Sequence, residues 1–202
     1  MKERPILFSA PMVRALLEGT KTQTRRVAKH PLALAAKRIH SYKKQTEFDC
    51  ILSDDSGGII ECPFGKPGDR LWVRESLQYD SEVGHYYAAT MQGSLGNPSG
   101  CEYLDYSKEP DGKEIPDRSI PSIHMPRWAS RIMLEITGVR VERLKNISRE
   151  DAEAEGWNPS TDVCSPLIWY VDLWARINGK DAWQANPWVW VVEFKCLEDG
   201  AV

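Results

Sequence analysis

Gly19-Thr20-Lys21-Thr22-Gln23-Thr24-Arg25-Arg26 sets three hydroxyls, one amine and two guanidiniums into eight residues, directly after an amphipathic helical segment. Ahead of it, Ser9-Ala10-Pro11 is a helix start with proline in the first turn, Met12/Leu16 and Val13/Leu17 repeat at i, i+4, and Gly19 is a stop. The octad therefore leaves the end of a short helix. Alternation predicts an extended segment with Lys21, Gln23 and Arg25 on one face and Thr22, Thr24 and Arg26 on the other, and a turn at the helix exit would bring Lys21 beside Thr24. A threonine hydroxyl is a weak nucleophile that a neutral amine can activate. Burial, or cations such as Arg25 and Arg26, would favour a neutral Lys21. The plainer reading of the same residues is a solvated basic strand whose threonines reflect strand propensity.

Working outward, Phe64-Gly65-Lys66-Pro67-Gly68-Asp69 is a tight turn feeding Arg70-Leu71-Trp72-Val73-Arg74-Glu75, a strand with Leu71 and Val73 on one side and Trp72 and Arg74 on the other. Glu75 closes it, as an ion-pair partner of Arg74 or Arg25 or as a pocket acid. The span from Arg131 to Arg143 alternates Ile132, Leu134 and Ile136 against Met133, Glu135 and Thr137, and Gly138 marks a bulge that would let one strand serve two sides of a barrel. Ser148 caps a helix running to Glu155, and Gly156 ends it. Glu155 thus meets the negative end of the helix dipole, a position that costs stability and therefore suggests function. A solvated acidic face made of Glu150, Glu153 and Glu155 is the bland alternative.

Ser165-Pro166 opens a further helix with Leu167, Tyr170, Val171, Trp174 and Ile177 on one stripe and Gly179 as its stop, and Trp188 to Cys196 alternates as a core strand. Between these elements, Leu32 to Arg38 reads as a short helix and Phe48 to Cys62 as a hairpin. Residues 76–120 form a long excursion with a hairpin of its own, containing Tyr86 and Tyr87. Arg127 beside Trp128 is either a base-stacking pair or a buried indole with an arginine at its rim.

At 202 residues, with 42% hydrophobic and 27% charged composition, the chain reads as one globular domain, and no Pro/Gly/Ser-rich linker divides it. The net charge of -3 hides an asymmetry: residues 1–45 carry +9 and the remainder -12. A polyanion-binding face at Lys37, Arg38, Lys43 and Lys44 would look like this, and so would a lysine-rich solubilising loop. Five cysteines without a C-x-x-C pair, and His30, His40, His85 and His124 without metal-ligand spacing, argue against a disulfide framework and a zinc site. No metal or other cofactor is expected. No apolar run reaches transmembrane length and the N-terminus lacks a signal-peptide segment, so a cytoplasmic protein with no membrane partner is expected.

The order helix, Gly19-Thr20-Lys21-Thr22-Gln23-Thr24-Arg25-Arg26, Gly68-Asp69-Arg70-Leu71-Trp72-Val73, Ile147-Ser148 to Glu155-Gly156, second helix and Val191-Val192-Glu193-Phe194-Lys195-Cys196 resembles the ASCH domain of the PUA-like superfamily. The chain looks most like the larger ASCH proteins of phages and prophages, with residues 30–60 and 76–120 as insertions. The resemblance implies an α+β, mainly β fold: a small, partly open barrel with flanking helices, spanning residues 1–202 as a single domain. It also implies an amidohydrolase acting on N4-acetylcytidine or a related N4-acylated cytosine nucleoside. By match to the family's K-T-x-T motif and its helix-end glutamate, Lys21 would be the base, Thr24 the nucleophile and Glu155 the acid.

Around that triad, Arg26 is a candidate oxyanion donor, Trp72 or Tyr87 a stacking platform for the base, and Glu75 a further substrate contact. The competing expectation is an RNA- or DNA-binding module without catalysis, or a nuclease, using Arg25, Lys37, Arg38, Lys43, Lys44 and Arg127 on single-stranded RNA. A binder needs the lysine but neither Thr24 nor Glu155. A monomer is the favoured state.

Overall fold

The structure, a computed structural model, describes residues 1–29, 61–91, 101–110, 114–160, 162 and 164–197. The expected helix at Leu32 to Arg38, nearly all of the expected hairpin from Phe48 to Cys62, and Lys37, Arg38, Lys43 and Lys44 lie outside the described residues. Strands dominate an α+β architecture. In chain order it comprises β1 (Glu3–Leu7), α1 (Ala10–Leu17), β2 (Gln23–Val27), β3 (Arg70–Arg74), β4 (Leu77–Asp80), β5 (Gly84–Tyr87), β6 (Met133–Arg143), α2 (Arg149–Ala154), α3 (Pro166–Asn178) and β7 (Trp188–Leu197). Among these, no helix is long and apolar enough to cross a membrane.

Five strands form one sheet in the order β1-β3-β6-β7-β2, and β4 and β5 pair separately. The long strands β6 and β7 are its spine. Their antiparallel register shifts between Ile136 and Gly138, so the expected bulge is present. A side chain at Gly138 would put a Cβ 2.5 Å from Glu193 Oε2, closer than packing permits. Leu134 and Ile136 on β6, Val189, Val191 and Phe194 on β7, and Leu71 and Val73 on β3 join Val13 and Leu16 of α1 in the main core.

The helices obey the 3.6-residue period, with corrections at Leu17 on α1 and at Leu167 and Ile177 on α3. On α1, Met12, Val13 and Leu16 are buried while Leu17 turns outward. On α3, Trp169, Tyr170 and Trp174 are buried, whereas Leu167 and Ile177, expected on the stripe, are 40% and 58% exposed. The larger indole of Trp169 takes the core place, because burial scales with apolar area.

The excursion after β3 builds a second, smaller core from Leu77, Tyr87, Leu104, Ile120, Met125 and Ala129. The expected hairpin within it is β4–β5. Glu75 anchors this lobe to the main sheet. Arg131 donates to both Glu75 oxygens at 2.9 Å, also pairs with Glu102, and lies 3.9 Å above the Tyr87 ring. Both partners of the pair are buried, so removal of either would strand a charge.

Asp69 fastens the parallel pair β1–β3. It accepts from the Lys2 amide at 2.7 Å, from Arg4 at 2.8 Å and from the Lys66 amide. The turn before it needs Gly65, whose backbone sits at φ 117° and where a Cβ would lie 2.6 Å from Arg4 Nη1. Burial alone would raise the Asp69 carboxyl, but these hydrogen bonds hold it at about 2 against 3.8 ordinarily. A depressed carboxyl contributes stability that is present above pH 3.8 and lost as the pH falls through about 2. Asp69→Asn should therefore lower the melting temperature at neutral pH and flatten its decline across that acid window. Parallel acid curves for variant and parent would remove Asp69 from this role.

Candidate functional site

Gly19, at φ 73°, turns the chain out of α1, and the Thr20 and Lys21 amides both donate to the Ala15 carbonyl at 3.0 Å. Thr22 then donates to Ala154 at 2.8 Å and accepts from Phe194, so the segment is clamped between the end of α2 and β7 before β2 begins. Lys21 forms an isolated antiparallel bridge to Glu155. Gly156, at φ 108°, allows this approach: a Cβ there would lie 3.0 Å from Ala15 Cβ and 3.3 Å from Lys21 Cβ. Strand alternation puts Lys21, Gln23 and Arg25 on one face, as the spacing predicts, and all three contact residues of α2 or Glu155 at its end.

At the centre is a buried ion-pair knot. Lys21 Nζ donates to the Glu155 carbonyl at 2.8 Å and to its carboxylate at 2.9 Å. Arg25 takes the other Glu155 oxygen at 3.1 Å, Glu142 at 2.7 Å and Asp151 at 2.9 Å. Asp151 also closes the capping box with Ser148 and accepts from Gln23 and Arg140, while Arg140 reaches on to Glu142 and Glu193. The helix-end dipole weighed in the sequence is therefore outmatched locally, because each Glu155 oxygen has a cation. Burial pushes the Lys21 ammonium below its ordinary 10.5; Glu155 opposes this, and Arg26 and Arg25 reinforce it.

Thr24 and Arg26 complete the array. The Thr24 hydroxyl has no hydrogen-bond partner among the described residues, although the residue is only 4% exposed. Arg26 Nη2 donates to the Leu7 carbonyl at 2.6 Å, but its buried Nε has no partner among the described residues. Lys21 and Arg26 both lie over the Phe8 ring, at 5.6 and 5.3 Å from its centroid. All of these groups line one cavity of about 640 Å³, whose other walls include Phe64, Trp190 and the α3 residues Tyr170, Leu173 and Trp174.

The structure thus gathers Lys21, Thr24, Arg25, Arg26 and Glu155 at one cavity and places Trp72, Glu75, Tyr87 and Arg127 away from it. Trp72, Glu75 and Tyr87 do not line this cavity. The Arg74 and Arg127 guanidiniums lie over the Trp72 ring; Glu75 is bound to Arg131, and the Tyr87 hydroxyl donates to the Ala129 carbonyl at 2.8 Å. Arg25, expected on a phosphate-binding face, has a side chain with 0% exposure and three carboxylate partners, because burial of Glu155 demands a second cation. Arg127 pairs with Glu3 at 2.9 Å. Phe8 and Tyr170 were not legible as site residues: Phe8 follows β1 without motif context, and Tyr170 reads as one more core position on its helix.

Removing Glu155 strands two buried cations, whereas removing the Thr24 hydroxyl strands nothing. Glu155→Ala should cost about 3–5 kcal/mol in urea unfolding, and Thr24→Ala less than about 1 kcal/mol. Equal losses would show that the carboxylate does not hold the knot together.

Comparison of the chain with family models, with curated proteins and with solved structures gives no match.

Proposed function

We propose that the protein is an amidohydrolase of the ASCH type that removes the acetyl group from N4-acetylcytidine or a related N4-acylated cytosine nucleoside in the cytoplasm. One observation carries the reading: Lys21, Thr24 and Glu155 line a single cavity, with Lys21 Nζ 2.9 Å from the Glu155 carboxylate. The strand order β1-β3-β6-β7-β2 and the bulge at Gly138 support a partly open PUA-like barrel, with residues 30–60 and 76–120 as insertions.

The Lys21–Glu155 hydrogen bond supplies both catalytic forms at once. Moving one proton along it converts an ammonium–carboxylate pair into a neutral amine beside a carboxylic acid, and burial of Lys21 favours the amine. Thr24 Oγ1 then attacks the acyl carbon as its proton passes to the Lys21 amine. Arg26, whose guanidinium lines the cavity, is suited to meet the oxyanion. The C–N bond breaks as Glu155 delivers its proton to the cytosine nitrogen, leaving an ester on Thr24. Water next gives a proton to Glu155 and its oxygen to the acyl carbon. The Thr24 oxygen leaves with the Lys21 proton, which restores amine and acid and frees the carboxylic acid. No step calls on a metal.

A nucleic-acid-binding module or a nuclease has less support, since Arg25 is buried and Arg127 is paired with Glu3. The deciding assay is release of cytidine and acetate from N4-acetylcytidine, with and without chelator. Turnover should be unaffected by chelator and should fall on the order of a hundredfold or more in Thr24→Ala, Lys21→Ala and Glu155→Gln. Lys21→Arg should be nearly as inactive, because a guanidinium does not give up its proton. Retained activity in Lys21→Arg would sink the base assignment, and no turnover of any acylated cytosine compound would sink the enzyme reading.

The pH profile follows from the same pair. The active form carries one proton, so kcat/KM should fall on the alkaline side as the pair loses it. The lowered Lys21 value places that limb below 10.5. An alkaline limb at or above that value would mean that burial does not tune Lys21.

A further inference from the structure

Tyr170 lines the cavity without a task in the chemistry above. It is 2% exposed, and its hydroxyl has no hydrogen-bond partner among the described residues. The hydroxyl is not one of the fully buried polar atoms that lack a partner, so it opens onto the cavity, beside Trp174, Leu173 and Phe64. Its ring is firmly held: Trp174 and Trp183 pack at centroid distances of 6.1 and 6.3 Å, and the Arg25 guanidinium lies 5.9 Å over its face. The polar atom is therefore presented on a rigid mount.

The two walls differ in chemistry. The Phe8 side carries Lys21 and Arg26, the groups suited to the acyl carbon and its developing charge. The α3 side, with Leu173, Trp174 and Ile177, is largely apolar and offers an indole on which a heteroaromatic ring can lie, and Tyr170 and Asn178 are the polar side chains in it. Burial also drives the phenol well above its ordinary value of 10, so it remains an O–H donor throughout the working pH range. We infer that Tyr170 is a substrate-binding residue whose hydroxyl donates to the ring carbonyl oxygen of a cytosine-type base, selecting pyrimidines that carry that acceptor. This rests on the amidohydrolase reading for the identity of the base, but it makes a separate claim about recognition.

The test crosses one deletion on the protein with one on the ligand. Tyr170→Phe keeps the ring, its tryptophan contacts and its place under Arg25. 4-Aminopyrimidine is cytosine without the ring carbonyl, and 4-acetamidopyrimidine is the matching version of N4-acetylcytosine. By calorimetry, the parent protein should bind cytosine about tenfold or more tightly than 4-aminopyrimidine. Tyr170→Phe should abolish the preference by weakening cytosine alone. In kcat/KM the same pattern should separate the two acetylated compounds.

No preference in the parent protein overturns the inference without recourse to any variant. A Tyr170→Phe protein that weakens both ligands equally, or leaves the preference intact, overturns it as well, since a packing role would do one or the other. If the preference and its loss are seen in binding while no acylated compound is turned over, the recognition claim stands and the hydrolase reading fails. If acylated compounds are turned over but the preference is insensitive to Tyr170→Phe, the hydrolase reading stands and this inference fails.

Discussion

A carboxylate buried to 3% exposure at the end of α2 is the constraint on which the site depends. A charge in that position is tolerated only if cations meet it, and Glu155 receives one on each oxygen, from Lys21 just before β2 and from Arg25 on it. That requirement fixes the side of β2 that faces α2 and sets the register of Gln23 against Asp151. Thr24 and Arg26 alternate with Gln23 and Arg25 along the chain and line the same cavity as Lys21 and Arg25. A slip of one residue would exchange the two faces and strand three carboxylates, so electrostatics and strand alternation specify the same register.

The knot serves two ends that pull against each other. Structurally, Arg25 is fully spent on Glu142, Asp151 and Glu155, and Asp151 is shared between the cap of α2 and the network. Chemically, Lys21 has only Glu155 as an ion-pair partner among the described residues and is desolvated, which loosens its proton. Two cations of the same octad thus play opposite parts: one locks the carboxylate in place, the other can exchange a proton with it. The division follows from geometry, since Arg25 reaches three acids and Lys21 one.

The second lobe is built on different physics. Its hydrophobic cluster is small, and its join to the main sheet is the bidentate Glu75–Arg131 pair with Tyr87 beneath the guanidinium. Glu75 and Tyr87, attractive from the sequence as substrate contacts, are occupied in holding that lobe. A lone acid at a strand end and a tyrosine in a polar excursion carry no sequence mark that distinguishes a pocket from a joint.

The sequence by itself determined the elements whose signals are local. Period-two alternation marked β3, β6 and β7, helical spacing and caps marked α1, α2 and α3, and Gly138 marked the bulge, because these depend on neighbours a few residues away. It also singled out Lys21, Thr24, Arg26 and Glu155, since reactive groups clustered in an octad and an acid set against a helix end both violate local preference. Tertiary structure alone decided the rest. Pairing of β2 with β7 joins Gln23 to Glu193, the bridge from Lys21 to Glu155 joins residues 134 positions apart, and only this closure shows Arg25 buried, Trp72 outside the cavity and Tyr170 within its wall. Burial is a property of what folds over a residue, and for these positions the covering chain comes from far along the sequence.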